Sequence, residues 1–527
     1  MTSSRYPEAV DVAVVGSGPT GAAYARILSE EAPGLSIAMF EVGPTVSDPP
    51  GAHVKNIVDP DARSLAQRRS EGPGAGDATL NSPRAVAEGK RRARPGTFVL
   101  PDDAYATEGD GLPLAAMSSN VGGMGAHWTA ACPRPGASER IPFLDETGEL
   151  DALLTEAERL LGVTTHAFDS TPFGDLLRDR LSAAVDEGRL LPSRVQRMPL
   201  AVHRREDGGL VWSGSDVVMG DVTRDNPDFT LLDESLVVRV LTGEDGVEGV
   251  EVRDLRTGDV HRVRARFVVV AADAMRTPQL LWASGVRPPA LGRYLNDQSQ
   301  VVFAARITGV DGVSAPTAEK ADGALSESSG VSWVPFTDDL PFHGQVMQLD
   351  ASPVPLADDD PVVPGSIVGL GLFCAKELSA DDRLEFSDTE TDAYGLPAIR
   401  VHYTLTERDR EVIGRAELEI VRLGQAVGQP LDDRPFRLPL GASLHYQGTT
   451  RMSSSDDGRS VCGPTSEVWG VPRLFVAGNN VIPTSTACNP TLTSVALAVK
   501  GARSITEAAL STTAPSAASS EQKESAS

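Results

Sequence analysis

Residues 10–16 (VDVAVVG) form a short apolar run rich in β-branched side chains, the pattern of a strand buried on both faces of a parallel sheet. Residues 19–30 (PTGAAYARILSE) follow with Pro19 placed for the first turn of a helix. A second apolar run, 35–41 (LSIAMFE), ends in an acid. Together the three segments predict a βαβ unit at the start of the sequence. Residues 44–112 are rich in Gly, Pro, Asp and Arg and hold no sustained period. They predict a long loop region, 49–109, most mobile at 73–96.

Residues 229–270 read as strands, FTLLDESLVVRVL, GVEGVEVRDL and VHRVRARFVVVAA, with hairpin turns at Glu244-Asp245-Gly246 and Arg256-Thr257-Gly258-Asp259. Phe267–Ala272 is a buried strand, and 277–284 is a helix closed by Gly285. Residues 300–405 alternate apolar and polar positions between Pro and Gly breaks, which suits an antiparallel sheet. Residues 406–428 have the spacing of an amphipathic helix with Thr406 as its N-cap. A last strand at 473–477 and a helix at 490–510 follow, and the Ser/Ala-rich tail 511–527 predicts disorder.

Charge narrows the function. The 527 residues carry 48 Lys and Arg against 73 Asp and Glu, a net charge of −25 that argues against a nucleic-acid binder. Cys132, Cys374, Cys462 and Cys488 are too scattered for a disulfide framework or a zinc site, and no metal is expected. No signal peptide and no apolar run of membrane length is read, so a cytoplasmic protein without a membrane partner is the expectation.

Three motifs carry chemistry. Gly16-Ser17-Gly18-Pro19-Thr20-Gly21 is a G-x-G-x-x-G between strand and helix. Gly16 permits the tight turn, Gly18 lets the backbone approach a pyrophosphate, and Gly21 lets helix and strand pack closely. Glu41, at the end of the second strand, is placed to accept hydrogen bonds from ribose hydroxyls. This predicts a bound dinucleotide without separating NAD from FAD. The second motif runs from Ser118 through Gly122-Gly123-Met124-Gly125-Ala126 to His127-Trp128-Thr129. Consecutive glycines permit close approach to a flat ligand, and a plain glycine loop beside a core Trp is the alternative. The third is a C-terminal block, His445 to Met452, then Val476-Ala477-Gly478-Asn479-Asn480, then Ala487-Cys488-Asn489-Pro490-Thr491-Leu492-Thr493. Asn489 suits an N-cap and Pro490 the first helical position, which points the positive end of the last helix at a reduced flavin or similar anion. For His445 alone, a satisfied core histidine is the plainer reading.

Taken together, the N-terminal βαβ, the G-G-M-G-x-H-W loop, VVVAADAMRTPQLLWASGV, and H-x-x-G-T-x-R-M followed by N-P-T-L-T resemble the glucose–methanol–choline (GMC) family of FAD oxidoreductases. His127-Trp128-Thr129 and Asn489-Pro490-Thr491-Leu492-Thr493 are most similar to its pyranose oxidase branch, which includes bacterial glycoside 3-oxidases and C-glycoside oxidases. The resemblance implies an α/β Rossmann-type FAD-binding domain from 8–48, 110–140, 215–300 and 441–510. It also implies an α+β substrate domain with a mostly antiparallel sheet from 141–214 and 301–440. It implies that His445 is the catalytic base, Asn489 its partner and Thr129 a neighbour of flavin N5. It further implies FAD contacts for Asn120, Gly122, Gly123, Trp128, Val237, Gly478, Asn479, Pro490 and Thr491. His127 matches the histidine that tethers FAD in fungal pyranose oxidases. Gly125-Ala126 departs from that pattern, so a covalent link stays open and noncovalent FAD is the expectation.

The implied reaction oxidises a secondary ring hydroxyl of a sugar or glycoside at C2 or C3, with O2 or a quinone as acceptor. The alternatives are a GMC enzyme for a non-sugar alcohol and a flavin dehydrogenase that does not use O2. From other classes, an NAD(P)-reducing enzyme and a flavoprotein whose redox centre is structural or serves a partner also stand. Trp333, Phe336, Phe342, His343 and Gln345 are candidates for contacting a sugar or aglycone, with core packing the favoured reading for each.

Overall fold

The computed structural model of the protein describes residues 5–72, 95–99, 111–310, 330–349, 363 and 365–513. Its first layer grows from the N-terminal βαβ unit. Strands Ala9–Val15 and Ile37–Phe40 pair in parallel, and the helix Pro19–Glu31 joins them. Phe229–Leu232 adds in parallel beside Ile37–Phe40, and Val260–Val270 adds in parallel on the other side of Ala9–Val15. The eleven-residue strand Val260–Val270 serves two partners along its outer edge. Residues 260–264 pair antiparallel with Gly246–Asp254, and 268–270 pair in parallel with Leu474–Val476. Ser235–Gly243 closes the sheet antiparallel to Gly246–Asp254. Val12, Val14, Val268, Val269 and Val270 are fully buried, and each such valine contributes about 1.5–3 kcal/mol. The helix Thr491–Thr513 packs on Pro19–Glu31 and covers one face.

The second layer is an antiparallel sheet in the order Gly428–Pro430, Ser299–Ile307, Ile367–Cys374, Phe342–Leu349, Val331–Val334, Gln196–Arg197, with Phe436–Arg437 also on Ser299–Ile307. The helix Glu407–Val427 lies across it. Ile413, Ala416, Ile420, Leu423 and Val427 recur at helical spacing and meet Val301, Phe303, Ala305 and Ile307. Thr406 caps that helix as expected, accepting from the Asp409 N–H while Asp409 accepts from the Thr406 N–H. Strand alternation then sets function. Phe342 and Val346 face this helix, so His343 and Gln345 face the opposite way.

The structure corrects several sequence expectations. FTLLDESLVVRVL is two strands, because the chain turns at Asp233-Glu234, where Glu234 has φ 48°. The helix expected over 277–284 begins four residues earlier, at Asp273. Pro278 lies inside it and cannot donate to the Ala274 carbonyl, and the Thr449 hydroxyl donates there instead at 2.6 Å. The region 49–109 is not all loop. Pro60–Arg69 is a helix capped by Asp59, which accepts from the Ala62 N–H at 2.7 Å. Only Ala66 of that helix is buried, so no apolar stripe marked it. The last helix runs to Thr513, three residues into the expected tail. The mobility expected of 73–96 falls, apart from residues 95 and 96, outside the described residues, as does 514–527.

Candidate active site

The carboxyl ends of the parallel strands open into one long cavity, where ligands of open α/β sheets bind. Gly16, with φ 102°, makes the turn after the first strand, and a Cβ there would meet the Ala271 carbonyl oxygen at 2.3 Å. A Cβ on Gly21 would meet the Gly16 carbonyl oxygen at 2.1 Å, so the helix can approach the turn only through glycine. A Cβ on Gly18 would meet nothing within 4 Å, because that residue faces open space. This is a cradle left clear for a ligand. Glu41 braces it: its carboxylate accepts from the Ser17 hydroxyl at 2.7 Å, the Ser17 N–H at 3.1 Å and the Gly43 N–H at 3.0 Å. Burial pushes the Glu41 carboxyl above its ordinary range.

One cavity takes in both this turn and the His445–Asn489 pair. Gly16, Gly18, Glu41, Gly123, His127, Trp128, Thr129, Val237, Gly478, Asn479, Thr491, His445 and Asn489 all line it. Four expected contacts stand behind its wall. Gly21 packs on the turn, and the Asn120 amide turns inward to the Val121 carbonyl. Gly122 sits against Gly51, with its N–H donating to Ser17, and Pro490 is buried beneath the helix start. His127 places Nε2 3.3 Å from Asn120 Oδ1, while its Nδ1 is buried without a partner among the described residues, and Gly96 packs against that ring edge. Burial lowers its pKa to about 4.

At the far end, His445 Nε2 lies 3.2 Å from Asn489 Nδ2. The His445 ring stacks on Phe373, 5.4 Å between centroids, and its Nδ1 lies 2.7 Å from Gln298 Oε1. The loop carrying Asn489 is clamped from both sides. Gln298 Nε2 donates to the Thr486 and Cys488 carbonyls, each at 2.9 Å. Glu139 accepts from the Ala487 and Cys488 N–H groups at 2.7 and 2.9 Å, and burial raises its pKa to about 7. Asn489 is not the side-chain cap expected of it. Its amide bonds His445 and Gln345, and the helix begins at Thr491 with the Pro490 carbonyl accepting from the Ser494 N–H. Trp333, Phe336, Phe342, His343 and Gln345 do not line the cavity; all five are buried. Gln298, Phe373 and Glu139 were not foreseen. Nothing local marks them, since each meets the site through a partner 72 to 349 residues away.

Among the described residues, no helix is long and apolar enough to cross a membrane, and no cluster of His, Cys, Asp and Glu could hold a metal ion. Family models of GMC oxidoreductases match residues 212–300 and 381–498. A C-glycoside 3-oxidase from Arthrobacter globiformis is 72% identical over 96% of this chain and 97% of its own. A pyranose 2-oxidase from Tricholoma matsutake is 32% identical over 94% of this chain and 93% of its own. Of solved structures, pyridoxine 4-oxidase from Mesorbium loti shares the fold with TM-score 0.65 at 18% identity, covering 94% of this chain and 99% of that one. Identity at this level over nearly the full length of both chains carries the family with it, and the open cradle at Gly18 fits the family's cofactor: the chain belongs to the FAD-dependent GMC oxidoreductases, enzymes acting on CH–OH donors.

Proposed function

We propose that the protein oxidises the C3 hydroxyl of a sugar ring, in a C-glycoside or a free pyranose, to the ketone, with O2 receiving the electrons. The observation that carries this reading is the His445–Asn489 pair, 3.2 Å apart in the same cavity as the glycine turn. The 72% identity to a C-glycoside 3-oxidase supports the choice of carbon and substrate class. Four buried, unpaired cysteines support a cytosolic setting.

In this reading the first sheet and its helices hold FAD and the antiparallel sheet backs the substrate. Backbone at Gly16–Gly18 would take the pyrophosphate, Glu41 the ribose, and Val237 the adenine side, with Thr129, Gly478, Asn479 and Thr491 along the ring system. Bound FAD supplies a two-electron acceptor for the hydrogen on the carbinol carbon. His445 Nε2 takes the hydroxyl proton. Asn489 Nδ2 donates to the same oxygen and holds it as negative charge develops. Phe373 fixes the plane of the imidazole from the far side.

Noncovalent FAD belongs to this reading. The unprotonated nitrogen of His127 would be the nucleophile for a tether, and with Nε2 on Asn120 that nitrogen is Nδ1, buried against Gly96. Acid precipitation is expected to release the yellow colour into the supernatant, and colour kept in the pellet means a covalent bond. The substrate reading is tested by anaerobic mixing with a C-glycoside and its parent sugar, followed by NMR of the product. A ketone at C3 and a bleached flavin are expected. A C2 ketone overturns the regiochemistry, and failure of every sugar and glycoside to bleach overturns the substrate class.

A further inference from the structure

We propose that Gln298, His343 and Trp333 are positioning residues that lock the protons of the His445–Asn489 pair, so that both side chains present their reactive atoms to one substrate oxygen. What that oxygen belongs to rests on the functional reading above. The rest follows from hydrogen-bond polarity, because the network is anchored at one end by groups that only accept and at the other by a group that only donates.

Consider the accepting end. The Thr486 and Cys488 carbonyls each take a hydrogen bond from Gln298 Nε2, which uses both protons of that amide nitrogen. Gln298 Oε1 is therefore the atom that faces His445 Nδ1 at 2.7 Å, and an amide oxygen can only accept. Nδ1 must carry the ring proton, which leaves Nε2 of the neutral imidazole bare.

Now the donating end. The Trp333 indole N–H has no lone pair, and it meets His343 Nδ1 at 2.9 Å. His343 Nδ1 is thus bare and its Nε2 carries the proton. Full burial lowers the His343 pKa to about 3, so the ring takes no second proton. His343 interacts with the Asn489 side chain, where a proton on Nε2 can be accepted only by the amide oxygen. Gln345 Nε2 lies 3.3 Å from His343 Nε2 and 2.5 Å from Asn489 Oδ1. Two donors lie side by side because both aim at that one oxygen. With Oδ1 engaged twice, Asn489 turns its N–H toward His445 Nε2 at 3.2 Å.

Every link then points the same way, from Trp333 to the loop carbonyls. Flipping either amide or either imidazole tautomer sets donor against donor or lone pair against lone pair. The outcome is a bare nitrogen and an N–H close enough to share one oxygen at about 2.8 Å from each, one to take the hydroxyl proton and one to hold the oxygen left behind.

The test reads the tautomer directly. Enzyme with FAD bound is labelled with ¹⁵N-histidine, and the His445 signals are identified by their loss in His445→Gln. At a pH where the ring is neutral, wild type is expected to show a proton-coupled Nδ1 and a bare Nε2. In Gln298→Met the Nε2–H form is expected to predominate, with kcat falling about tenfold or more and KM moving less than about threefold. His343→Phe is expected to leave the His445 tautomer in place yet lower kcat by several-fold. His343→Gln, whose amide nitrogen can occupy the Nε2 position, recovers most of that loss. A wild-type His445 protonated on Nε2 overturns the proposal. So does a Gln298→Met enzyme with unchanged tautomer and kcat. Should Gln298→Met not fold, the wild-type spectrum and the His343 pair still decide. Should no sugar or glycoside be oxidised, the spectra still answer, and only the functional reading falls.

Discussion

His445→Ala is expected to slow anaerobic bleaching of the flavin by a reducing glycoside at least ~10²-fold, and up to ~10⁴-fold, while FAD stays bound. The lower bound is the worth of a positioned general base. The upper bound applies if the imidazolium also supports the charge that builds on oxygen. Retention of FAD follows from geometry. The Gly16–Gly18 turn is held by its own packing and by the Glu41 carboxylate on Ser17, and the His445 ring is held separately by Gln298 and Phe373. Asn489→Ala removes a hydrogen bond to the same oxygen and is expected to cost less alone. The double variant should lose much less than the product of the two, because both groups act on one atom. Stopped-flow absorbance of the flavin reads each case. Reduction of the His445→Ala protein at the wild-type rate removes His445 from the chemistry.

How much of this was written in the sequence depends on the distance over which each feature is decided. The glycine turn is decided within six residues, where Gly16 needs a positive φ and Gly21 a missing Cβ, and both needs show in the spelling. The Glu407–Val427 helix announces itself through period and cap. Boundaries fail where a distant group intervenes. The helix expected from 277 starts at Asp273 instead, with the Thr449 hydroxyl, 171 residues from Pro278, supplying the donor that proline lacks. The break at Asp233-Glu234 is likewise tertiary, since Phe229–Leu232 leaves to pair with Ile37–Phe40. In the site, His445 and Asn489 were legible through motifs, but their tie to Gln298 was not. A glutamine before a strand carries no local signal, and only the folded chain brings it to the imidazole. His343 and Gln345 are among the candidates for contacting a sugar or aglycone, with core packing the favoured reading of each. The structure buries both and has Gln345 donate to the Asn489 amide oxygen.

The glycine turn yields a prediction in which two neighbouring substitutions separate cofactor binding from folding. Gly18 has φ −63° and ψ 178°, backbone that any residue adopts, and a Cβ there touches nothing. Gly18→Val should therefore leave the flavin-free protein with a urea midpoint close to wild type, within about 0.5 kcal/mol. Its effect falls on the ligand. The side chain occupies the space through which the backbone would reach the pyrophosphate, and hydrogen bonds to a charged group are worth about 1.5–3 kcal/mol each. Loss of two of them predicts at least ~10²-fold weaker FAD binding, seen as nearly colourless protein after purification. Gly21→Val behaves in the opposite order. Its Cβ would stand 2.1 Å from the Gly16 carbonyl oxygen, an overlap relieved only by moving helix against strand. Such overpacking costs about 1–3 kcal/mol or more, so the flavin-free protein itself should unfold at lower urea. Flavin content and urea midpoints measured on both variants give the two patterns. A Gly18→Val protein that binds FAD as tightly as wild type would show that no phosphate sits in that cradle, and the orientation of the dinucleotide toward His445 would have to be abandoned with it.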